Sequence, residues 1–342
     1  MRAVVIREHG GPEVLTFEER PLPSPGPREV RVRVRAVGLN HLDLWVRAGV
    51  PGHTFPLPIV PGCDVAGVVD AIGPGAQGAA PGDEVVVSPG LSCGRCLSCR
   101  AGEDALCKSY GILGESVDGG CQEYLVVPDV ALFPKPPGLD WTEAAAVPLT
   151  FLTAWHMLKA RACVQPGELV LVHAAGSGVS AAAIQIATLL GARVITTAGT
   201  DAKCARGVAL GAEEAVNYRS SDFVQAAHRF SGGRGVDIVV DHVGTDTFAR
   251  SLRCLVKGGR YVTCGATSGY EMSTDFRLVF FKSLSILGST MGGAHELATV
   301  LKLIASGRLR PIVDSVFPLD RIAEAHRRLA GREAFGKIVL TV

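Results

Sequence analysis

The strongest constraint on the fold is an alternation that begins at Thr142. Short runs of almost uninterrupted apolar residues, "ELVLVHAAG", "RVITTAG", "EAVNY", "VDIVVDHVG", "RYVTCGAT" and "LSILGST", are separated by helical stretches such as "AAAIQIATLLGA", "AKCARGVALGA" and "TFARSLRCLVKGG". A strand with no polar face must be covered on both sides. These segments therefore predict a parallel sheet with helices on either face, a doubly wound α/β domain. The chain before Trp141 reads differently. "EVRVRVRAVGL" alternates with period two, "VAGVVDAIG", "GDEVVVSPG" and "CQEYLVVP" are short β runs, and prolines cluster in "RPLPSPGPREV" and "FPKPPGLDW". The expected division is a β-rich domain over 1–150, a doubly wound α/β domain over 151–290 and a tail, 291–342, that returns to the first domain. The proline inside "TEAAAVPLTFLTAWHMLKA" predicts a helix kinked or split at that point.

Composition narrows the function classes. With 342 residues, 47% hydrophobic and 20% charged, the chain has globular composition and length for two cores. A formal net charge of +1 and no basic cluster argue against nucleic acid as a partner. The start lacks the apolar core of a signal peptide, and no run approaches the roughly 20 residues that span a bilayer. A cytoplasmic protein without membrane partners is expected.

The strand "LVLVH" runs into "AAGSGVSAAAIQIATLLGA". Small residues let a backbone approach a pyrophosphate, and the helix N-terminus meets its charge. Gly176, Ser177, Gly178 and Val179 are the candidate cofactor cradle, with Ser180 standing where a final glycine is common. An NAD site usually has an acid at the end of the second strand. Here that strand ends in Thr197, Ala198 and Gly199, and Lys203 follows in the first helical turn, where the dipole disfavours a cation. A bound 2′-phosphate would resolve that misfit, so NADP(H) is expected over NAD(H).

Ten cysteines are present, four of them clustered in "CGRCLSCRAGEDALC". Cys93, Cys96, Cys99 and Cys107 have the spacing of a tetrahedral Cys₄ zinc site. Four protein ligands leave no open position, so this zinc is structural. His156, His173 and His242 stand singly among apolar residues and are expected to be structural, and Glu115 and Asp118 to form a solvated turn beside the zinc loop.

Together these motifs resemble the medium-chain dehydrogenase/reductase superfamily over essentially the whole chain. Matching stretches include "GPGAQGAAPGDEVV", "CGRCLSCRAGEDALC", "GGCQEYLVVP", "LTAWHML", "GVDIVVDHVG" and "AFGKIVL". The resemblance implies a GroES-like catalytic domain, a Rossmann domain, an active site in the cleft between them, and homodimers or homotetramers. Zinc alcohol dehydrogenases of the family carry a second, catalytic zinc, whose ligands fall where this chain has Asn40, Cys63 with Asp64, and Leu149. Asparagine and leucine cannot replace thiolates. The resemblance therefore implies a dehydrogenase that keeps the structural zinc and has lost the catalytic one. The branch without catalytic zinc, the quinone oxidoreductases, carries an asparagine and an aspartate at Asn40 and Asp43, and holds NADPH through a lysine and a tyrosine matching Lys203 and Tyr218. That branch usually lacks the Cys₄ loop, so the chain combines features of both.

Without a Lewis acid, hydride transfer to a quinone or to the β-carbon of an enone is favoured over reduction of a simple ketone, because charge spreads into the conjugated product. The family fold places the nicotinamide near Asn40, Thr153 and the turn at Gly288 and Ser289. Asn40, His41 and Asp43 are the candidate catalytic residues, His41 being the nearest candidate proton donor. A simpler role for Asn40 and Asp43 is to cap the helix starting at "HLDLW". Two alternatives stay open: an alcohol dehydrogenase with an atypical metal site at Cys63 and Asp64, and a low-turnover NADPH-binding sensor.

Overall fold

The computed structural model describes residues 1–342. The strands run, in chain order, β1 (Arg2–Ile6), β2 (Leu15–Glu19), β3 (Glu29–Gly38), β4 (Asp64–Ile72), β5 (Glu84–Val87), β6 (Gly90–Leu91), β7 (Gly111–Ile112), β8 (Tyr124–Pro128) and β9 (Leu132–Pro134). Next come β10 (Leu169–Val172), β11 (Arg193–Ala198), β12 (Glu214–Asn217), β13 (Val236–Asp241), β14 (Leu255–Thr263) and β15 (Ser285–Gly288). β16 (Val313–Pro318) and β17 (Lys337–Thr341) close the chain. Two compact units result, Met1–Leu149 with Gly292–Val342, and Thr150–Met291.

In the first unit a seven-stranded sheet has the order β16-β17-β3-β4-β5-β9, with β8 also paired to β3. β3 owes its place at the centre to its pattern: Val30, Val32 and Val34 are buried while Arg31, Arg33 and Arg35 point outward. Near its end the alternation stops, and Val37, Gly38 and Leu39 are all buried. Helix Trp141–Ala145 covers that end so closely that a Cβ at Gly38 would collide with the Ala145 carbonyl. The same Cβ would lie 3.1 Å from Lys337 Cε and 3.2 Å from Asp64 Cβ. The last strand, β17, pairs antiparallel with β3. Its lysine is thereby brought beside residues nearly three hundred positions earlier.

The second unit is a six-stranded sheet, order β12-β11-β10-β13-β14-β15, with every pairing parallel. Both faces are covered, and all four residues of β10 are buried. The strand order reverses between β10 and β13, which is where such sheets open a crevice at their carboxyl ends. The proline noted in the sequence splits its helix: one helix ends at Ala145 and the next begins at Pro148, with proline in the first turn where its missing N–H costs nothing. That helix continues into a wider turn over His156–Arg161.

Candidate functional site

In the first unit Asn40 sits at the junction of β3 and helix His41–Ala48, and the cluster around it is fully hydrogen bonded. Lys337 Nζ, 4% exposed, donates to Asn40 Oδ1 at 2.6 Å and to Asp64 Oδ2 at 2.8 Å. Asn40 Nδ2 donates to Asp64 Oδ2 at 2.9 Å and lies 3.2 Å from Cys63 Sγ and 3.3 Å from the Gly38 carbonyl. The other Asp64 oxygen accepts from the Leu149 backbone N–H at 2.7 Å. Of the four positions at issue for a catalytic metal, Asn40 and Asp64 thus bind a lysine ammonium, Cys63 Sγ lies against the Asn40 amide, and Leu149 offers only a backbone N–H to Asp64. A divalent cation there would have to displace Lys337 and find three protein donors. Burial pushes the Cys63 thiol well above its ordinary pKa, with Asp64 and Asp43 adding to the shift, so it is a neutral thiol. The only group of three or more His, Cys, Asp or Glu donors arranged to take a metal is the four-cysteine cluster. The residues around Asn40 do not fit a catalytic zinc.

Asp43 closes the start of the helix. Its two oxygens accept from the backbone N–H groups of Asn40, at 2.7 Å, and Gly62, at 2.9 Å. Burial raises its pKa to about 6 against the pull of those two donors. Gly62 can offer that N–H because it holds φ +97°, a left-handed conformation natural to glycine. His41, half-buried, opens the helix. The capping role of Asp43 is therefore realised, while the Asn40 carboxamide is turned into the lysine cluster. Lys337 was present in the sequence motif "AFGKIVL" without an assigned role. Its one signal there was a cation in an otherwise apolar strand.

The zinc loop has the geometry expected of its metal. The Sγ atoms of Cys93, Cys96, Cys99 and Cys107 all lie within 4.8 Å of one another, with Cys96 and Cys99 at 3.5 Å and Cys93 and Cys99 at 3.9 Å. Zinc–sulfur bonds of about 2.3 Å in a tetrahedron place sulfurs roughly 3.8 Å apart. The N–H groups of Arg95 and Cys96 draw Cys93 down to about 6, while its partner Cys96 is raised to about 11. Asp104 fastens this loop by accepting from Ala294 N at 2.8 Å, at the start of helix Ala294–Ala305. Asp118 does more than border the loop, since it accepts from Val60 N at 2.9 Å and Arg20 Nη1 at 2.7 Å. The turn is exposed at Ser116 and Val117, as expected, and Asp118 also ties it to segments far apart in sequence.

In the second unit Gly176 and Ser177 lie in the turn after β10, and Gly178 and Val179 open helix Gly178–Leu189. Thr200 caps the helix after β11 by accepting from Lys203 N at 3.2 Å. At the end of β11, a Cβ on Gly199 would meet Tyr218 Oη at 2.7 Å and Arg219 Nε at 3.5 Å, so a phenol and a guanidinium converge where an NAD site usually has an acid. Arg219 was not anticipated. At the end of β15, Ser289 is buried and its hydroxyl has no protein partner. An orphaned hydroxyl at the carboxyl edge of this sheet fits a polar group of a bound dinucleotide. Arg161 Nε donates to the Gly288 carbonyl at 2.8 Å, and Thr153 is buried beside Met291, its Oγ1 3.9 Å from the sulfur. His173 and His242, expected among apolar residues, instead belong to a buried polar network: His173 lies 3.0 Å from Thr197 Oγ1 and 2.9 Å from Ser251 Oγ, and His242 2.8 Å from Ser180 Oγ.

A β-rich unit bearing a Cys₄ loop, with a doubly wound unit whose glycine-rich turn lies at the strand-order reversal, defines a nicotinamide-dependent oxidoreductase. Comparison with known proteins agrees. Residues 26–137 match the alcohol dehydrogenase GroES-like domain and residues 210–340 the zinc-binding dehydrogenase family. The human quinone oxidoreductase is 32% identical over 348 residues, covering 99% of this chain and 97% of that protein. A 2-haloacrylate reductase from Burkholderia sp. is 33% identical over 356 residues, covering 99% and 98%. A solved structure described as an NAD-dependent alcohol dehydrogenase superposes with a TM-score of 0.97 at 55% identity, covering all of both chains. This chain belongs to the medium-chain dehydrogenase/reductase superfamily and is an NAD(P)H-dependent oxidoreductase.

Proposed function

We propose that the protein is an NADPH-dependent reductase of quinones or α,β-unsaturated carbonyl compounds that works without a catalytic metal. One observation carries this reading: the Lys337 ammonium bonded to Asn40 and Asp64 where catalytic zinc ligands would converge. A built-in cation whose donors are committed to Asn40 and Asp64 does not supply the Lewis acid that alcohol oxidation needs. Acceptors that delocalise the incoming charge need less help. The named activities of the human and Burkholderia relatives, on quinones and on an alkene conjugated to a carboxylate, fall in that class.

When bound, the nicotinamide supplies the hydride. The chain's part is to hold it through the turn Gly176–Val179 and the Ser289 hydroxyl, with Thr153 and Gly288 among its neighbours. Lys203, Tyr218 and Arg219 favour the 2′-phosphate, since three polar or cationic groups replace the acid that would hold a ribose hydroxyl. Asn40 and Asp43 fix the helix start, and His41 at its first turn is the candidate to complete the reaction with a proton. The 55% identical structure favours a second reading, alcohol dehydrogenation with NAD, because its description names that activity.

Both are tested by measuring kcat/KM for NADPH and NADH with quinones, enones and simple alcohols or ketones. The proposal expects NADPH with quinone or enone to dominate, and Lys203→Ala to lower the NADPH-to-NADH ratio by about tenfold or more. A ratio unmoved by Lys203→Ala overturns the cofactor assignment. Turnover confined to alcohols and NAD overturns the substrate class.

A further inference from the structure

Ser180 stands where dinucleotide-binding turns commonly carry a third glycine, and its hydroxyl has found a use. Ser180 Oγ lies 2.6 Å from the His173 carbonyl and 2.8 Å from His242 Nε2, and all three residues are buried. Proton bookkeeping fixes the directions. A carbonyl only accepts, so the single serine proton goes to His173 O. The second contact must then be His242 Nε2–H donating to Ser180 Oγ.

The neighbouring histidine is organised in the same manner. Ser251 Oγ donates to Asp241 Oδ2 at 3.4 Å and so receives His173 Nε2–H at 2.9 Å. That leaves His173 Nδ1 to accept from the Thr197 hydroxyl at 3.0 Å, while Thr197 Oγ1 also receives the Ala174 N–H at 3.1 Å. Burial holds both imidazoles below their ordinary pKa, which keeps them neutral and the directions fixed. The network joins the ends of β10, β11 and β13, and the β10–β13 pair brackets the reversal of strand order. Its Ser180–His242 contact ties the helix start after the glycine-rich turn to the loop on the other side of that crevice.

We propose that Ser180 and His242 are positioning residues for the dinucleotide, forming a clip that holds the loop after β13 against the turn after β10 and so fixes the crevice that receives the pyrophosphate. The proposal rests on this unit binding a nicotinamide dinucleotide. The clip acts on the part common to NADPH and NADH. It therefore governs affinity for both equally, unlike Lys203 and Tyr218.

The test uses the full-length protein. Dissociation constants for NADPH and NADH are measured by nicotinamide fluorescence, with steady-state kinetics alongside, for wild type, Ser180→Gly, Ser180→Ala, His242→Leu and His242→Gln. The first three variants lose the bond, whereas glutamine keeps an N–H donor. Ser180→Gly, His242→Leu and Ser180→Ala should raise Kd and KM for both cofactors by about tenfold, with kcat within about threefold and the NADPH-to-NADH ratio constant. His242→Gln should recover most of the affinity. Nitrogen NMR of histidine-labelled protein should show His242 protonated at Nε2. Unchanged Kd in folded Ser180→Gly overturns the clip, as does a His242→Gln no better than His242→Leu. If wild type binds neither cofactor, the underlying cofactor reading fails and takes the clip with it, and that result is distinguishable because it precedes any substitution.

Discussion

At the scale of single residues, Lys337 holds the cluster around Asn40 together. Its ammonium and the Asp64 carboxylate are both removed from water, so neither tolerates the loss of the other. Lys337→Met should destabilise the protein by about 3–5 kcal/mol, because it leaves an unpaired buried charge. The double variant Lys337→Met with Asp64→Asn should recover part of that loss. Denaturant titrations of the four proteins give the coupling directly, and strictly additive effects would contradict the pairing. This residue also marks the limit of what the sequence discloses. The four zinc cysteines are legible because their spacing is local and few other structures need it. Asn40 and Leu149 could be set aside as zinc ligands on donor chemistry alone, whereas Cys63 and Asp64 are donors that the sequence leaves open. That a lysine from the last strand fills their midst depends on the antiparallel pairing of β17 with β3, a contact with no local signature. Likewise Ser180 looked like a flaw in a fingerprint, and its two partners lie 7 and 62 positions away.

Among the elements, helix Ile322–Ala330 carries the clearest pH dependence. His326 on it is buried with its Nδ1 3.3 Å from Arg47 Nη1, and its Nε2 has no protein partner. Burial, aided by the Arg47 charge, lowers its pKa to about 3. The folded state thus refuses a proton that the unfolded chain takes up near pH 6.5. Its contribution to stability is complete above about pH 6.5 and is lost as pH falls toward 3, by up to roughly 5 kcal/mol. Asp43 works in the opposite sense. With a folded-state pKa near 6, above its unfolded value, it favours folding at low pH and loses that advantage as pH rises from about 4 to 6. Replacing His326 by Phe should therefore flatten the loss of stability between pH 6.5 and 4, measured by thermal unfolding across that range. An unchanged slope would show that His326 is not what titrates. Elements were the most legible level of this chain. Period-two alternation in β3 and continuous apolar runs in β10 and β13 are direct consequences of one-sided and two-sided burial. The histidines were less so, because an isolated His in an apolar run gives no hint of hydroxyl partners supplied by other strands.

For the whole molecule, β15 is the outermost strand of the second unit's sheet and is left without a partner on one side. Ile286 on it is exposed, as are Phe276, Phe280 and Phe281 nearby in sequence. An edge of this kind is a template for pairing with another chain. The homodimer or homotetramer expected from the sequence would use such an edge. Sedimentation velocity should show an oligomer for wild type and a monomer for Ile286→Glu. An oligomer that survives Ile286→Glu would place the contact elsewhere. No helix is long and apolar enough to cross a membrane.

On this reading the oxidoreductase keeps a structural metal and carries an internal cation, Lys337, in place of a catalytic one. Zinc per chain, determined by elemental analysis on protein purified with neither added metal nor chelator, tests it most directly. One zinc is expected, held by Cys93, Cys96, Cys99 and Cys107. Two zincs per chain, with one lost on replacing Asp64 by Asn, would contradict it and return the site around Asn40 to metal chemistry.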